Sequence, residues 1–418
     1  MARGRHGLST PAYLLLGATA ALVLGGLLMV YSASSVADYV QYGDSAYHLK
    51  KQLAIALAGA LAMAVVSRWD FRPGRGARIA PAVIAWGLWA VSTLGLIAVD
   101  FAGVAKWGAT RSISIGPFFL QPSEFAKGGC VLVAALLLVQ WRRGALTDRQ
   151  FLGWLGGALL PVVALIMAQP DMGTTASLLL AVYATLWLGG VRGRWLALTA
   201  GAGAGLGALM IKVAGYRMDR VTAFLDPWAT PLDGGYQIIQ SLYAFGSGGL
   251  FGVGLGLSRQ KFAYLPAAHT DFIFAIIGEE LGILGSLAVV AGFFVFAYAG
   301  IRIALECKDP FGRLMAGGLT AMIVGQAVMN MAAVTGLMPI TGIPLPLMSA
   351  GGSSLVFTLG CIGLILSVSR HSVSTPVRLV RPTTTRGSAR EDTVERRRDG
   401  GAYLPGAERR GASSRRRA

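Results

Sequence analysis

A chain of 418 residues that is 54% hydrophobic and only 14% charged, yet carries a net charge of +17, lacks the composition of a soluble domain, in which roughly a quarter of residues are charged. Its Lys and Arg sit in short clusters between apolar runs rather than on a solvated face with aromatic or polar readers, which excludes a nucleic-acid binder. Cys130 and Cys361, two of three cysteines, lie inside apolar runs, so neither a disulfide scaffold nor a zinc site is suggested.

Apolar runs of about 18 residues or more recur from end to end, the length a helix needs to cross about 30 Å of hydrocarbon. The expected fold class is therefore all-α: a polytopic integral membrane protein of about ten transmembrane helices. The predicted spans are 13–35, 52–67, 79–99, 121–140, 151–168, 174–190, 195–213, 270–300, 313–335 and 351–369. The first run lacks a cleavage site and reads as a retained span. Arg3 and Arg5, then Arg68 to Arg78, Arg142 to Arg149, Arg192 and Arg194, and Arg302 to Arg313 all fall on one side of an even-numbered topology. Basic loops are retained in the cytoplasm, so both termini are expected there.

The opposite face receives 36–51, 100–120, 169–173, the long stretch 214–269 between helices 7 and 8, and 336–350. A connection of about 55 residues is more often functional than a mere link, so function is sought on this outer face. Gly201 with Gly205, and Gly203 with Gly207, form interlocked GxxxG patterns that permit close helix approach. The same glycines mimic a dinucleotide fingerprint, but no strand precedes them. From Arg370 the composition turns to Arg, Ser, Thr, Gly and Glu, with thirteen arginines against five acids. The expected division is a cytoplasmic N-terminus over 1–12, a membrane domain over 13–369 and a disordered Arg-rich cytoplasmic tail over 370–418. Anionic lipid headgroups or a cytoplasmic partner would meet that tail.

Ionisable residues in or beside spans are functional candidates by default, and four clusters lie at outer span ends. Gln121 to Lys127 (QPSEFAK) places Glu124 and Lys127 three apart on one helical face, either as an ion pair or as the lining of a polar cavity. Gln169 to Thr175 (QPDMGTT) reads as a turn with Asp171 capping. Ala263 to Gly282 carries His269 and Asp271 at a helix start. Asp271 is either an N-cap or a general base, with His269 the alternative base. Glu279 and Glu280, two turns deeper, read as partners for neighbouring spans. Met338 to Ser354 combines three prolines with Gly342, Gly351 and Gly352, irregular backbone of a kind tolerated only where it is buried or lines a cavity. Ser349, Ser353 and Ser354 offer hydroxyls to a ligand there, and Ser353 equally suits a cap.

In this order, with VYSASS (Val30 to Ser35), QPSE, DPW (Asp226 to Trp228), GYQIIQSLYAFGSGG (Gly235 to Gly249), LGLSRQK (Leu255 to Lys261), HTDFIFAIIGEELG (His269 to Gly282) and PLPLMSAGGSS (Pro344 to Ser354), the chain resembles the SEDS family of bacterial cell-envelope proteins. That group contains FtsW, RodA and SpoVE, and the resemblance covers about 12–370. The wording IIGEELG looks more like the division branch than the elongation branch. The resemblance implies a peptidoglycan glycosyltransferase polymerising lipid II into glycan strands at the outer face of the cytoplasmic membrane. It also implies a single-span class B penicillin-binding protein as partner, among other division proteins. By analogy the catalytic aspartate corresponds to Asp271, while Glu124 and Lys127 correspond to cavity-lining positions. Three positions depart from the family pattern: Ala267 where a glutamate is usual, Ser112 after Arg111 where a tryptophan is usual, and Ala350 where many members have tyrosine.

The residues suit that chemistry independently. A polyprenyl diphosphate is a good leaving group that needs charge neutralisation rather than a proton, so the paired carboxylates of a glycosidase are not required. One base, Asp271, would deprotonate the acceptor hydroxyl. Lys127, Arg217, Arg220, Arg259, Lys261 or a divalent cation such as Mg or Mn would neutralise the diphosphate, with Arg111 and His269 as further substrate-side candidates. No other cofactor is implied. The rival readings are a lipid II flippase or carrier, which predicts ionisable residues through the full membrane depth, and a scaffold for a transpeptidase, which has no need of Asp271. Within the polymerase reading, a RodA-like elongation or SpoVE-like sporulation role is the alternative to division.

Overall fold

A computed structural model describes residues 9–70, 80–106, 109–115, 118–213, 222–262 and 264–372. Its long helices are α1 (Thr10–Tyr42), α2 (Tyr47–Val66), α3 (Pro81–Ala102), α4 (Pro122–Arg142), α5 (Asp148–Ala168), α6 (Met172–Leu188) and α7 (Gly193–Val213). After a shorter α8 (Tyr236–Gly248) come α9 (Ile273–Glu306), α10 (Pro310–Val334) and α11 (Gly352–Ser372). Eight of them are long and apolar enough to cross a membrane; α6 is apolar but has 17 residues. The chain is a multi-pass, predominantly α-helical membrane protein. The proposed tail over 370–418 lies outside the described residues from 373 onward.

Burial separates the helices by role. α4, α10 and α11 are enclosed over most of their length, whereas α2, α3, α5 and α9 present broad apolar faces outward. Around α4 pack α3, α5, α6 and α10; α9 lies against α1 and α10, and α11 against α2. Besides Asp38 near the end of α1, the buried ionisable residues of the described spans sit on α4 and α9, where protein rather than lipid surrounds them.

Four features differ from what hydropathy suggests. α1 does not stop near 35 but continues two turns to Tyr42, where Gly43 in the left-handed region (φ 69) ends it with its N–H on the Tyr39 carbonyl. Those added turns hold polar residues such as Asp38 that a hydropathy window rejects. Segment 100–120 is not a loop: after the end of α3 it forms a small antiparallel sheet of β1 (Val104–Lys106), β2 (Ala109–Ile115) and β3 (Phe118–Leu120), in which the β-branched Thr110, Ile113 and Ile115 favour extended backbone. The long connection before α9 contains α8, whose Ile238, Ile239 and Ala244 are buried while Leu242 and Tyr243 face outward. Ser241 ties it to the end of α10 by donating to the Val334 carbonyl at 2.6 Å. Finally, a Cβ at Gly201, Gly203 or Gly205 would meet nothing within 4 Å, so among the described residues no helix packs closely on these three glycines of α7.

α9 itself is broken. Gly282 takes φ 68, ψ −163, which separates a short piece beginning at Ile273 from the long apolar remainder. The backbone groups freed at the break bond to the stretch after α8: Val253 N to Glu279 O at 2.9 Å, Gly254 N to Glu280 O at 3.1 Å, Ile283 N to Gly249 O at 2.9 Å and Leu284 N to Leu250 O at 3.3 Å. Such mutual pairing is what allows non-helical backbone at membrane depth.

Segment 335–351 dips inward between α10 and α11 and touches α1, where a Cβ at Gly26 would stand 2.5 Å from Met348 Cα. Only glycine fits this crossing. Gly26→Ala is therefore expected to destabilise the protein by about 1–3 kcal/mol, read as a lowered unfolding temperature in detergent, while Gly17→Ala, with nothing within 4 Å of its Cβ, leaves that temperature unchanged.

Candidate active site

At one end of the helices the four polar clusters of the sequence meet. The entry to α9 is built by a tight turn in which Ala267 takes a left-handed conformation (φ 56). Its carbonyl accepts from Thr270 N at 3.0 Å, Phe272 N at 3.3 Å and Thr270 Oγ1 at 3.1 Å. A non-glycine residue at positive φ is held there by its surroundings. The helix begins at Ile273 with Phe272 as N-cap, so Asp271 stands one residue outside the capping position.

The three carbonyls around Asp271 are gripped in succession. That of His269 accepts from Ala350 N at 3.0 Å, that of Thr270 from Ser349 Oγ at 2.6 Å, and that of Asp271 from Asn330 Nδ2 at 2.8 Å. Ser349 Oγ also accepts from Leu345 N at 2.8 Å. Its hydroxyl is thus committed to the backbone rather than held out to a ligand. Ser353 Oγ accepts from Gln121 N at 3.1 Å, which joins β3 and α4 to α11 in place of a cap.

Arg111 of β2 reaches Gly342. Its Nε donates to the Gln169 carbonyl at 3.2 Å and its Nη2 to the Pro170 carbonyl at 2.6 Å, anchoring the sheet on the turn before α6. Asp171 caps α6 as its spacing suggests, accepting from Thr174 N at 3.0 Å and Thr174 Oγ1 at 2.8 Å. Gly173 in turn abuts the Thr341 carbonyl. Gly342 (φ 68) marks the centre: a Cβ there would lie 3.9 Å from both Arg111 Nη1 and Asp271 Oδ2. A guanidinium and a carboxylate thus both lie within contact distance of where a side chain at this position would begin. A small cleft opens beside it, with Asp271, Asn330, Thr341 and Gly342 in its wall.

Glu124 and Lys127 form the ion pair that their spacing allows, Nζ to Oε1 at 2.8 Å, at 2% and 1% exposure. Ser354 Oγ donates to Glu124 Oε2 at 3.0 Å, Lys127 Nζ donates to Gln326 Oε1, and Gln326 Nε2 donates to the Pro344 carbonyl at 3.0 Å. The pair braces the loop beneath the cleft and offers little surface to a ligand. Glu279 and Glu280 are likewise occupied. Glu279 accepts from Ser258 Oγ and from Arg259 N at 2.9 Å, while Glu280 accepts from Ser32 Oγ at 2.6–2.7 Å and Ser258 N at 3.3 Å. Three sequence motifs, VYSASS, LGLSRQK and GEE, are joined in this way.

Among the other candidate cations, Arg259 is exposed on that loop, and Lys261 is buried with its Nζ donating to the Gly256 carbonyl. Arg217 and Arg220 lie outside the described residues. Among the described residues, no three His, Cys, Asp or Glu side chains are grouped so as to hold a metal ion.

Asp38, His48 and Asn330 do not stand out in the sequence. Asp38, buried at the end of α1, accepts from Ser34 Oγ at 2.9 Å and His48 N at 3.0 Å and pairs with His48 Nδ1. The His48 ring packs 5.0 Å from that of His269, which links α1 to the segment carrying Asp271. Gln326 and Asn330 are four apart in an apolar run, on one face of α10; that spacing of amides is the signal by which they are found.

The family model for a cell cycle protein group covering FtsW, RodA and SpoVE matches residues 13–374. Stage V sporulation protein E of Bacillus subtilis is 40% identical, over 87% of this chain and 98% of its own. A probable peptidoglycan glycosyltransferase FtsW of Trichlorobacter lovleyi is 39% identical, over 84% and 90% respectively. Among solved structures, a chain from a peptidoglycan synthase complex described as coordinating polymerization and crosslinking superposes with a TM-score of 0.70 at 28% identity, over 87% of this chain and 98% of that one. The rod shape determining protein RodA of Thermus thermophilus gives 0.62 at 28% identity, over 86% and 97%.

Removing one partner of a buried ion pair strands the other charge. Lys127→Met is expected to destabilise the protein by about 3–5 kcal/mol, and Glu124→Gln combined with Lys127→Met to recover most of it, as measured by thermal unfolding in detergent.

Proposed function

Because the chain belongs to the FtsW, RodA and SpoVE family of cell cycle proteins, we propose that it is a peptidoglycan glycosyltransferase that polymerises lipid II at the outer face of the cytoplasmic membrane, with Asp271 as general base. The observation that carries this reading is a partly buried Asp271 in the wall of a cleft, with the Arg111 guanidinium beside the same Gly342.

The reaction asks for those two groups. The acceptor 4-hydroxyl oxygen bonds to the anomeric carbon of the growing chain, and the bond from that carbon to the polyprenyl diphosphate breaks, its electron pair leaving with the diphosphate. The hydroxyl proton passes to the Asp271 carboxylate and from there to water. Charge accumulates on the diphosphate, where preorganised donors are most effective. Arg111 supplies these with its orientation already set by the carbonyls of Gln169 and Pro170. Glu124 and Lys127 act as a brace beneath the cleft, and Arg259 is an outer-loop cation within the proposed substrate path. A divalent cation that assists would arrive on the diphosphate, since the described residues group no protein ligands for one.

The carrier reading loses ground for a specific reason. Glu279 and Glu280, the ionisable residues that most suggest a transport path, are tied to Ser32 and to the 258–259 backbone. The proposed setting is the division septum, both termini in the cytoplasm, with a class B penicillin-binding protein as the crosslinking partner. Similarity alone does not separate division from sporulation, because the two relatives differ by one per cent in identity.

The purified protein with its transpeptidase partner and lipid II is expected to give glycan strands on a gel. Asp271→Asn should lower the rate by about 10²–10⁴-fold and Arg111→Ala by about 10²-fold, with folding unchanged. Undiminished synthesis by folded Asp271→Asn would overturn the assignment of the base.

A further inference from the structure

Asn330 is 2% exposed and lies near the site end of α10. Both hydrogens of its Nδ2 are committed, one to the Asp271 carbonyl and one to the Ile343 carbonyl, each at 2.8 Å. The amide orientation follows, because the reverse would set Oδ1 against two carbonyl oxygens. Oδ1 is then buried with no hydrogen-bond partner among the described residues. A buried acceptor left in that condition is unfavourable and uncommon, and calls for a donor from outside the protein. Asn330 lines the cleft that also holds Asp271, Thr341 and Gly342.

The polarity of this group limits its ligand. An amide oxygen only accepts, so it has nothing to offer a diphosphate, which also only accepts; Arg111, beside Gly342, only donates. The two groups therefore suit different parts of the reaction, Arg111 the leaving diphosphate and Asn330, in the wall of the cleft, a hydroxyl-bearing sugar. A sugar that presents one hydroxyl to the Asp271 carboxylate carries its ring neighbour about one hydrogen bond away, and the Asn330 amide is bonded to that same residue.

We infer that Asn330 Oδ1 is a specificity-determining acceptor, which takes a hydrogen bond from the hydroxyl adjacent to the attacking one on the acceptor sugar. This rests on the reading of Asp271 as the base of a lipid II polymerase. Asn330 does two jobs with one amide: its nitrogen fixes the backbone of the base, and its oxygen registers the sugar the base is to act on.

The test compares acceptors. Lipid II, lipid II lacking the hydroxyl adjacent to the attacking 4-hydroxyl, and lipid II lacking the 6-hydroxyl are offered to the wild-type complex, to Asn330→Ala and to Asp271→Ala. Wild type should lose about 10–100-fold in kcat/KM with the first analogue and far less with the second. Asn330→Ala, slower overall, should no longer distinguish the first analogue from lipid II. Equal use of all three acceptors by wild type, equal losses with both analogues, or full discrimination retained by Asn330→Ala would each overturn the inference. Should Asn330→Ala fail to fold, the two analogues on wild type decide alone. Synthesis retained by Asp271→Ala removes the underlying reading instead, whereas an inactive Asp271→Ala beside an indifferent wild type removes only the role of Asn330.

Discussion

Backbone amides cannot be left unpaired where there is no water to take them, and segment 335–351 brings a run of non-helical backbone between α10 and α11. Much of the polar chemistry of this protein answers that requirement. Gln52 from α2 donates to the Ser349 carbonyl, Gln326 and Asn330 from α10 to the carbonyls of Pro344 and Ile343, and Ser349 closes the turn on Leu345 N. Amides and hydroxyls, neutral and short, satisfy the segment without bringing unpaired charge into the helix core. The clamp on carbonyls 269 to 271 is the same device carried to its edge, so the loop that must be stabilised also holds the base in place.

The charged residues divide into two kinds. Glu124 with Lys127, and Glu279 with Glu280, are enclosed and consumed by donors from other elements. Arg111 and Asp271 both lie beside Gly342, and Asp271 lines the cleft. Burial makes the first kind structural, since a charge stripped of water is held only by a full set of partners. The second kind is only partly buried, so a ligand can reach it. A catalytic arrangement that needs one base and one cation is thereby supported by a larger number of charges that touch no substrate.

The membrane class, the positions of the long helices and the meeting of polar clusters at one end were legible because hydropathy and proline–glycine patterns act locally. Asp171 and the Glu124–Lys127 pair were legible for the same reason, each being a spacing of three residues on a helix or at its cap. Three kinds of feature were not. The extension of α1 to Tyr42 is polar and escapes a hydropathy window, and the strands of 104–120 are too short to show an alternation. Buried neutral amides such as Asn330 carry no charge to draw attention, although their partners are the groups around the base. Which of several cations faces Asp271 depends on a contact between β2 and a turn 58 residues away, and no local pattern encodes that distance.

The break at Gly282 has a mechanical side. A continuous helix from Ile273 to Glu306 would act as a stiff rod, passing every tilt or thickness change of the bilayer directly to its tip, where Asp271 sits. The interruption, stitched to residues 249–254 rather than to the lipid-facing remainder, turns the first piece into part of the headpiece. The reacting end can then keep its registration with Arg111 while the rest of α9 follows the membrane, much as a coupling isolates an instrument from the vibration of its mount.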